Sequence, residues 1–396
     1  MDPNLTTLGE IIRAYWPVPA CALAVSLLAT PFCRRYALRK NIVDRPDDYL
    51  KPHKLPIPYL GGVAIFLGWS TGIVLAMILF DSQPSSGGDA HGPVLNTTRT
   101  LGIILAGLGI TSLGLFDDLH LASPVAKLVG GAAVGLILIV FGLGDDTLSL
   151  LLRSTGIDPG DLPRSLVVAC SIPITLFIVL GACNATNLID GLDGLCSGVL
   201  GIMAAGFLVL AVHLHLWSSW DTLDVKRVVI ASAMMGAALG FLPFNRNPAR
   251  IFMGDAGSML LGLNAAVLLL LFAKSSNTLR WMLGSLMIFG LPLADMLLTL
   301  ARRWRNQRPL MQGDRSHFYD QLVDRGWPVK RVVRVSYTLA AFFALMGCAP
   351  IVLRLRYVVP LYILVVAFVI VLVIKFGMVR VERPPSSEPR RWGRDG

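Results

Sequence analysis

The sequence predicts an all-α integral membrane protein, a polytopic bundle of about eleven transmembrane helices whose N-terminus lies outside. Three observations lead to this fold class. The 396-residue chain is 54% hydrophobic, only 15% of its residues are charged, and its apolar residues form long uncharged runs. A soluble domain carries about 25% charged residues, and about 20 consecutive apolar residues can cross the hydrocarbon core of a bilayer.

Eleven runs are apolar enough to be candidate spans. They lie near residues 14–32, 58–80, 100–116, 126–143, 165–183, 197–217, 228–243, 257–273, 280–300, 335–353 and 357–376. Several are short or rich in glycine, so ten spans is the alternative count. The acidic, polar N-terminus lacks the basic region that precedes the core of a cleavable signal peptide, so we expect the first span to be retained.

The distribution of basic residues predicts the topology. If the N-terminus lies outside and the spans alternate, 25 of the 35 Lys and Arg residues fall in cytoplasmic segments. This is the positive-inside bias of membrane proteins. The net charge of +10 therefore indicates topology and contact with the lipid bilayer. Because no basic groove is interleaved with aromatic residues, no nucleic acid partner is expected.

The chain is predicted to form a single domain. Residues 1–380 make up the integral membrane domain with its cytoplasmic loops. The remaining segment, 381–396, is rich in proline and charge, a composition typical of disorder, and is expected to be a cytoplasmic tail.

Five polar clusters interrupt the apolar sequence, and in the predicted topology all five face the cytoplasm. Ionisable residues are costly near a membrane and usually indicate function. The clusters therefore predict one site at the cytoplasmic mouth of the bundle. They are "KPHKLPIPYLGG" (51–62), "FDDLHLASPVAK" (116–127), "NATNLIDGLDGL" (184–195), "FNRNPARIFMGDAGS" (244–258) and "GDRSHFYDQL" (313–322).

The acidic residues of these clusters indicate a hard cation. Three loops supply five carboxylates: Asp117, Asp118, Asp190, Asp193 and Asp255. Oxygen ligands without a Cys/His set favour Mg²⁺, which typically takes one or two carboxylates together with substrate phosphates. The i, i+3 spacing of Asp190 and Asp193 would place both on one face if their segment is helical.

Basic residues and a helix start complete the predicted chemistry. Lys127, Arg315 and His317 are donors suited to a diphosphate. The segment "GDAGS" opens a span, so its free N–H groups could face a phosphate. Acids, a hard metal and basic donors on one surface are typical of phosphoryl transfer. A site at the interface would let a phosphorylated lipid meet a soluble nucleotide donor.

Other interpretations stay open at this point. The pair at Asp117 and Asp118 could be a polar turn, and the amides and acids of 184–193 could be an interhelical hydrogen-bond network. Asp295, inside the ninth run, could serve structural pairing, snorkelling or catalysis. From another functional class, a polytopic transporter or lipid flippase would place its acids near mid-membrane and carry paired broken helices.

Taken together, the motifs "PIPYLGG", "FDDL…K", "NATNLIDGLDGL", "FNRNPARIFMGDAGS" and "DRSH" resemble those of the polyprenyl-phosphate N-acetylhexosamine-1-phosphate transferases, glycosyltransferase family 4. The resemblance runs in order from about residue 44 to residue 326. It implies transfer of an N-acetylhexosamine 1-phosphate, GlcNAc-1-phosphate first, from a UDP-sugar to undecaprenyl phosphate, with release of UMP. UDP-MurNAc-pentapeptide is the alternative donor.

The resemblance also implies a cofactor and a location. The cofactor is Mg²⁺, with Mn²⁺ as an alternative, in a cleft on the cytoplasmic face of the bacterial inner membrane. A homodimer is an open alternative for the assembly.

The family's motifs assign roles to residues around the metal. Asp117 would position or deprotonate the lipid phosphate, and Asp118 would shape the metal region. Asp255 is the acid most expected to bind Mg²⁺, and Asp118 is the second expected metal residue. Asn187 and Asp190 match the polar face near the diphosphate.

Further matches concern the nucleotide and the sugar. Asp193 and Phe252 match positions that hold uracil by hydrogen bonding and stacking, with Asn245 beside that pocket. Arg315 and His317 match the loop that grips the diphosphate and the sugar. His317 joins Asp117, Asp118 and Asp190 in the expected catalytic set.

The family's motifs also extend to Lys127 and to the segment after His317. Lys127 matches a basic residue that follows the aspartate pair. The sequence departs from the family after His317, where Phe318, Tyr319 and Asp320 replace a stretch that is often rich in histidine. Because that loop faces the hexose of the donor, the departure leaves the sugar's identity open.

Overall fold

The computed structural model describes residues 7–44, 56–81, 95, 97–120, 122–217, 222–275, 278–307 and 317–379. Within these ranges the chain forms fifteen α-helices, two 3₁₀ helices and one small sheet. The helices are α1 (Leu8–Tyr15), α2 (Pro17–Arg39), α3 (Gly61–Asp81), α4 (Thr97–His120), α5 (Pro124–Val140), α6 (Thr147–Ser154), α7 (Arg164–Leu188), α8 (Leu195–Trp217), α9 (Thr222–Asn245), α10 (Gly254–Ala273), α11 (Thr278–Ile288), α12 (Gly290–Arg305), α13 (Phe318–Asp324), α14 (Val329–Gly347) and α15 (Leu355–Lys375).

The predicted polytopic helix bundle is confirmed at this level. Nine helical segments of the described chain are long and apolar enough to cross a membrane, and a tenth is the pair α11 and α12, bent by 73°. Helix α5 is apolar but only 17 residues long. Each of the eleven predicted runs thus falls on a helix, while the count of eleven and the external N-terminus stay predictions. The predicted tail, 381–396, lies outside the described residues.

Helix α10 is the centre of the bundle, because 17 of its 20 residues are buried and it packs against α3, α4, α7 and α9. Small residues allow this close approach. A Cβ on Gly62 of α3 or on Gly114 of α4 would overlap the first turn of α10, and a Cβ on Gly262 would overlap α7. The ends of these helices are therefore drawn together.

A two-stranded sheet lies beside the loop that leads into α10. Strands β1 (Val43–Asp44) and β2 (Ile57–Pro58) pair antiparallel. The chain then continues into α3, whose first N–H groups donate to the α9–α10 loop: Gly61 to Phe252 O at 3.0 Å and Gly62 to Met253 O at 2.9 Å. This gives the "PIPYLGG" motif a structural role in holding the loop before Asp255.

Candidate active site

Four helices meet at a junction of acidic, basic and amide side chains. The Lys127 Nζ atom on α5 lies 2.5 Å from Asp117 Oδ2 on α4 and 2.5 Å from Asp255 Oδ2 on α10. Asn187 on α7 donates to the other oxygen of Asp255 at 2.8 Å. We call these four residues the carboxylate–lysine junction. The structure thus brings together predicted residues that come from three of the polar clusters.

The connection between α4 and α5 explains how Lys127 reaches the junction. Asp117 lies in the last turn of α4, and its Oδ1 accepts the N–H of Ala122 at 2.7 Å, which holds the turn. Ser123 then caps α5, and Pro124 occupies its first position, where proline fits without loss of a hydrogen bond. Lys127 follows in the first turn of α5, facing the end of α4.

Asp118 has a structural contact that the sequence did not predict. Its carboxylate accepts the backbone N–H groups of Asp255 at 2.9 Å and Ala256 at 3.3 Å. Gly254 enters α10 with φ +67°, and a Cβ there would overlap the Asp118 carboxylate. The expectation that these first N–H groups of "GDAGS" face a phosphate was therefore wrong for these two, because Asp118 occupies them.

Asp190 and Asp193 do not share a helical face. Both lie in the non-helical linker between α7 and α8, so the condition for the i, i+3 argument is not met. The linker includes Gly194 with φ +76°, a conformation that glycine adopts without steric cost. The two acids therefore lie in different environments.

Asp190 lies among other acids. Burial raises the pKa of its carboxyl well above the usual range, and the neighbouring charges of Asp255, Asp118 and Asp193 add to this effect. A cation that binds beside such a carboxyl group favours its ionised form.

The Asp193 carboxylate holds the α9–α10 loop. Its Oδ2 accepts Asn247 Nδ2 at 2.9 Å and the Ala249 N–H at 3.0 Å. Both contacts use one oxygen, so Oδ1 can accept a donor from outside the protein. This geometry suits recognition of a nucleobase N–H.

Asn245 ties this loop to the linker between α7 and α8. The buried side chain accepts the Gly194 N–H at 3.2 Å and the Ser197 hydroxyl at 2.9 Å, and it donates to Ile251 O at 3.1 Å. Its amide is thus engaged on both sides by protein groups. Asn245 therefore joins the linker that carries Asp193 to the loop before α10.

Phe252 lies at the same loop, near the entrance to α10. Its backbone N–H donates to Pro58 O at 2.9 Å, and its partly exposed ring lies 6.3 Å from the ring of Tyr59. The sheet segment thus fixes the backbone of Phe252 at the loop before α10.

His317 is held from two sides. Its Nδ1 lies 2.8 Å from the carboxylate of Asp295, which also accepts the Phe318 N–H at 3.1 Å. On the other side its ring stacks on Tyr319 at 5.4 Å. The predicted partner Arg315 lies outside the described residues.

Sequence reasoning did not identify several contact residues. Ser258 accepts from Asn187 at 3.1 Å, Asn247 binds Asp193, and Tyr319 donates to Leu188 O at 2.7 Å. Asp295, by contrast, was singled out from the sequence as an acid inside an apolar run, with its role left open. For the other three, the chain offers no spacing pattern that separates them from ordinary loop and helix residues.

The donor chemistry of the junction fits a divalent cation completed by substrate. Asp117 and Asp255 already enclose the positive Lys127 Nζ. Among the described residues, no group of three or more His, Cys, Asp or Glu side chains is arranged to hold a metal. Mg²⁺ typically binds with one or two carboxylates and substrate phosphates, which is the set that Asp255 and a diphosphate would supply.

Comparison with known proteins gives an independent result. The family model described as glycosyl transferase family 4 matches residues 100–273, the segment from α4 to the end of α10. A probable undecaprenyl-phosphate N-acetylglucosaminyl 1-phosphate transferase of Bacillus subtilis is 31% identical, over 82% of this chain and 81% of the relative.

Two further relatives differ in the substrates that their names give. A decaprenyl-phosphate N-acetylglucosaminephosphotransferase of Mycobacterium tuberculosis is 31% identical, over 83% of this chain and 80% of its own length. A phospho-N-acetylmuramoyl-pentapeptide-transferase of Halalkalibacterium halodurans is 29% identical, over 82% and 92%. The chain therefore belongs to glycosyl transferase family 4, as its motifs predicted.

Proposed function

We propose that this protein transfers an N-acetylhexosamine 1-phosphate, GlcNAc-1-phosphate first, from a UDP-sugar to undecaprenyl phosphate. UMP is released, and the product is a lipid-linked sugar diphosphate that begins a cell-envelope glycan. The chain is a phosphoglycosyl transferase by family. Relatives named for GlcNAc phosphate transfer from two organisms support this donor, and the muramoyl-pentapeptide relative supports the alternative donor.

The observation that carries the proposal is the carboxylate–lysine junction. Lys127 holds Asp117 and Asp255 together at 2.5 Å each, and Asn187 fixes the remaining oxygen of Asp255. Phosphoryl transfer depends mainly on positioning and on stabilising charge. A junction that fixes two acids and one cation can position the phosphates and stabilise their charge.

In the proposed reaction, an oxygen of the lipid phosphate attacks the β-phosphorus of the donor, and the bond to the UMP oxygen breaks. Asp117 positions the lipid phosphate and need not act as a strong base, because a phosphate monoester is largely ionised near pH 7. Lys127 stabilises the charge that develops on the transferred phosphate. Asp190 adds a carboxyl group beside the diphosphate.

The metal would be held chiefly by Asp255. Asp118 keeps this ligand in place by accepting the N–H of Asp255 itself. Bound Mg²⁺ would neutralise charge on the diphosphate, and Mn²⁺ would supply the same oxygen-bound charge.

The nucleotide would lie between the linker after α7 and the loop before α10. Asp193 would accept from the uracil through Oδ1, and the Phe252 ring would stack on the base. Asn245 would keep the two segments together through its contacts with Gly194 and Ile251. His317 and Arg315 would contact the diphosphate and the sugar.

An interfacial position explains why the two substrates can meet. The site residues lie where apolar helices end, at the end of α4, α7 and α9 and the start of α10. A polyprenyl tail can then stay in the bilayer while its phosphate reaches Asp117. The positive-inside bias of the basic residues supports a site at the cytoplasmic face of the bacterial inner membrane.

Purified protein would test this function directly. It is incubated with undecaprenyl phosphate, Mg²⁺ and, in separate reactions, UDP-GlcNAc, UDP-GalNAc or UDP-MurNAc-pentapeptide, and UMP is measured. We expect UMP in the UDP-GlcNAc reaction, dependent on both the lipid and Mg²⁺, and lost in Asp255→Asn. Absence of UMP with every donor would contradict the proposal and favour a transporter; release with another donor alone would correct the sugar.

A further inference from the structure

Asp295 is a buried acid in α12, the second helix of the bent apolar pair, and its contacts lead to one residue of the site. The side chain on α12 is only 2% exposed. Its Oδ2 lies 2.8 Å from His317 Nδ1, and its Oδ1 accepts the Phe318 N–H at 3.1 Å. An acid in such a segment is costly and commonly functional. Here both carboxylate oxygens serve the segment that carries His317.

The position of this carboxylate determines which ring nitrogen is left for a substrate. A carboxylate accepts hydrogen bonds, so the proton of the contact belongs on His317 Nδ1. The hydroxyl of Thr299 lies farther from Nδ1, at 3.3 Å, so Asp295 makes the shorter of the two contacts from α12. Nε2 is then the ring nitrogen that can meet a phosphate oxygen.

Tyr319 connects the His317 ring to the linker between α7 and α8. The His317 and Tyr319 rings are nearly parallel, 10° apart, with centroids 5.4 Å apart. The Tyr319 hydroxyl donates to Leu188 O at 2.7 Å, two residues before Asp190, and a Cβ on Gly191 would overlap the Tyr319 ring. The imidazole is therefore fixed relative to the linker that carries Asp190.

We propose that Asp295 is a positioning residue for the transfer reaction, acting through His317. It holds Nδ1 as the protonated nitrogen and turns Nε2 toward the diphosphate of the donor, while Tyr319 keeps the ring beside the Asp190 linker. This inference rests on the proposed function. It assigns the acid in the ninth apolar run to orientation of a substrate-contacting side chain, and it distinguishes that role from helix pairing or snorkelling.

A double-mutant cycle tests the action through His317. Asp295→Asn keeps the volume of the side chain but places an amide beside Nδ1, and His317→Gln removes the ring. We expect each single variant to lower kcat for UMP release by about 100-fold, with the donor KM within about 3-fold. The double variant should be no slower than His317→Gln, because the two residues act as a unit.

The matched control is Thr299→Val, which removes another polar group beside Nδ1 from the same helix. It should keep kcat within about 3-fold of the unmodified enzyme. Near-normal kcat in Asp295→Asn, multiplicative losses in the double variant, or an equal loss in Thr299→Val would each overturn the proposal.

Nitrogen NMR of the unmodified protein provides a readout that does not need activity or a folded Asp295 variant. The protein is labelled with ¹⁵N-histidine, and the His317 signals are identified by their loss in His317→Gln. We expect Nδ1 to carry the proton, and a His317 ring with unprotonated Nδ1 would overturn the proposal. Because this result is independent of UMP release, failure of the proposed function and failure of this inference can be told apart.

Discussion

Lys127 Nζ and Asp255 Oδ2 lie 2.5 Å apart, although one residue follows α4 and the other opens α10. The same ammonium group lies 2.5 Å from Asp117. Without this cation, two carboxylates from different helices would face each other at short range, which is unfavourable in a partly buried site. Lys127 therefore makes the approach of the two acids compatible with folding before any substrate or metal is bound.

Lys127→Met should lower the rate of UMP release by about 100-fold or more, since it removes a donor from the developing phosphate charge. It should also change the response to metal. With no ammonium group between Asp117 and Asp255, Mg²⁺ gains two uncompensated carboxylates. Mg²⁺ should therefore raise the thermal unfolding midpoint of Lys127→Met more than that of the unmodified protein.

The control for this variant is Lys375→Met, which removes an exposed lysine at the end of α15. It should leave both UMP release and the Mg²⁺ response unchanged. If Lys127→Met and Lys375→Met respond alike to Mg²⁺, the carboxylates at the junction do not face the metal.

Asp118→Ala should destabilise the start of α10. The substitution leaves the N–H groups of Asp255 and Ala256 without their acceptor, and loss of such a cap costs about 0.5–2 kcal/mol. We expect a lower unfolding midpoint together with loss of UMP release, because Asp255 is no longer fixed. Asp118→Asn keeps one acceptor oxygen, so its unfolding midpoint should fall between those of Asp118→Ala and the unmodified protein. A midpoint of Asp118→Ala equal to that of the unmodified protein would argue against the capping role.

The helix bundle could be predicted because each helix is specified by its own local run of apolar residues. Runs of apolar residues that are long enough to cross a bilayer specify helices wherever they occur, so all eleven runs fall on helices. The bend of 73° between α11 and α12 was not predicted, because hydropathy reports the length of an apolar run and not its direction. Whether α5, with 17 residues, crosses the membrane depends on tilt and neighbours for the same reason.

The sequence predicted which residues belong to the candidate site, but not which of them contact each other. Charge and motif order indicated that Asp117, Asp255 and Asn187 belong together, and the structure places them around Lys127. The partner of each side chain depends on how α10 packs against α4 and α7. The contact of Asp118 with the first N–H groups of α10 could therefore not be read from the sequence, and its role at the metal stays a prediction.

Asn247→Ala tests the proposed uracil pocket. Asn247 supplies one of the two hydrogen bonds to Asp193 Oδ2, at 2.9 Å, and a hydrogen bond to a charged group contributes about 1.5–3 kcal/mol. Loss of this contact should loosen Asp193 and raise the donor KM by about 10-fold, with kcat within about 3-fold. Steady-state kinetics with varied UDP-sugar concentration measure both constants.

Asn184→Ala is the matched control for Asn247→Ala. Asn184 belongs to the same motif as Asp193, but its exposed side chain donates to Leu180 O within α7. It should leave the donor KM unchanged. A lower kcat with constant KM in Asn247→Ala would place this loop at the reacting phosphate instead of the nucleobase.

Asp190→Asn should stabilise the substrate-free protein while it reduces activity. Burial and nearby acids raise the pKa of Asp190 in the folded state, so the folded protein binds this proton more tightly than the unfolded chain. Folding stability must then fall as pH rises from the ordinary Asp range, about 3.9, through the raised pKa. The asparagine variant has no such loss, so its unfolding midpoint should exceed that of the unmodified protein by about 2 °C or more at pH 8. The difference should shrink as the pH is lowered toward 4. Thermal unfolding between pH 4.5 and pH 8 without Mg²⁺ measures this difference, and a gap that is constant or widens toward acid would show that Asp190 is not held in its protonated form by its surroundings.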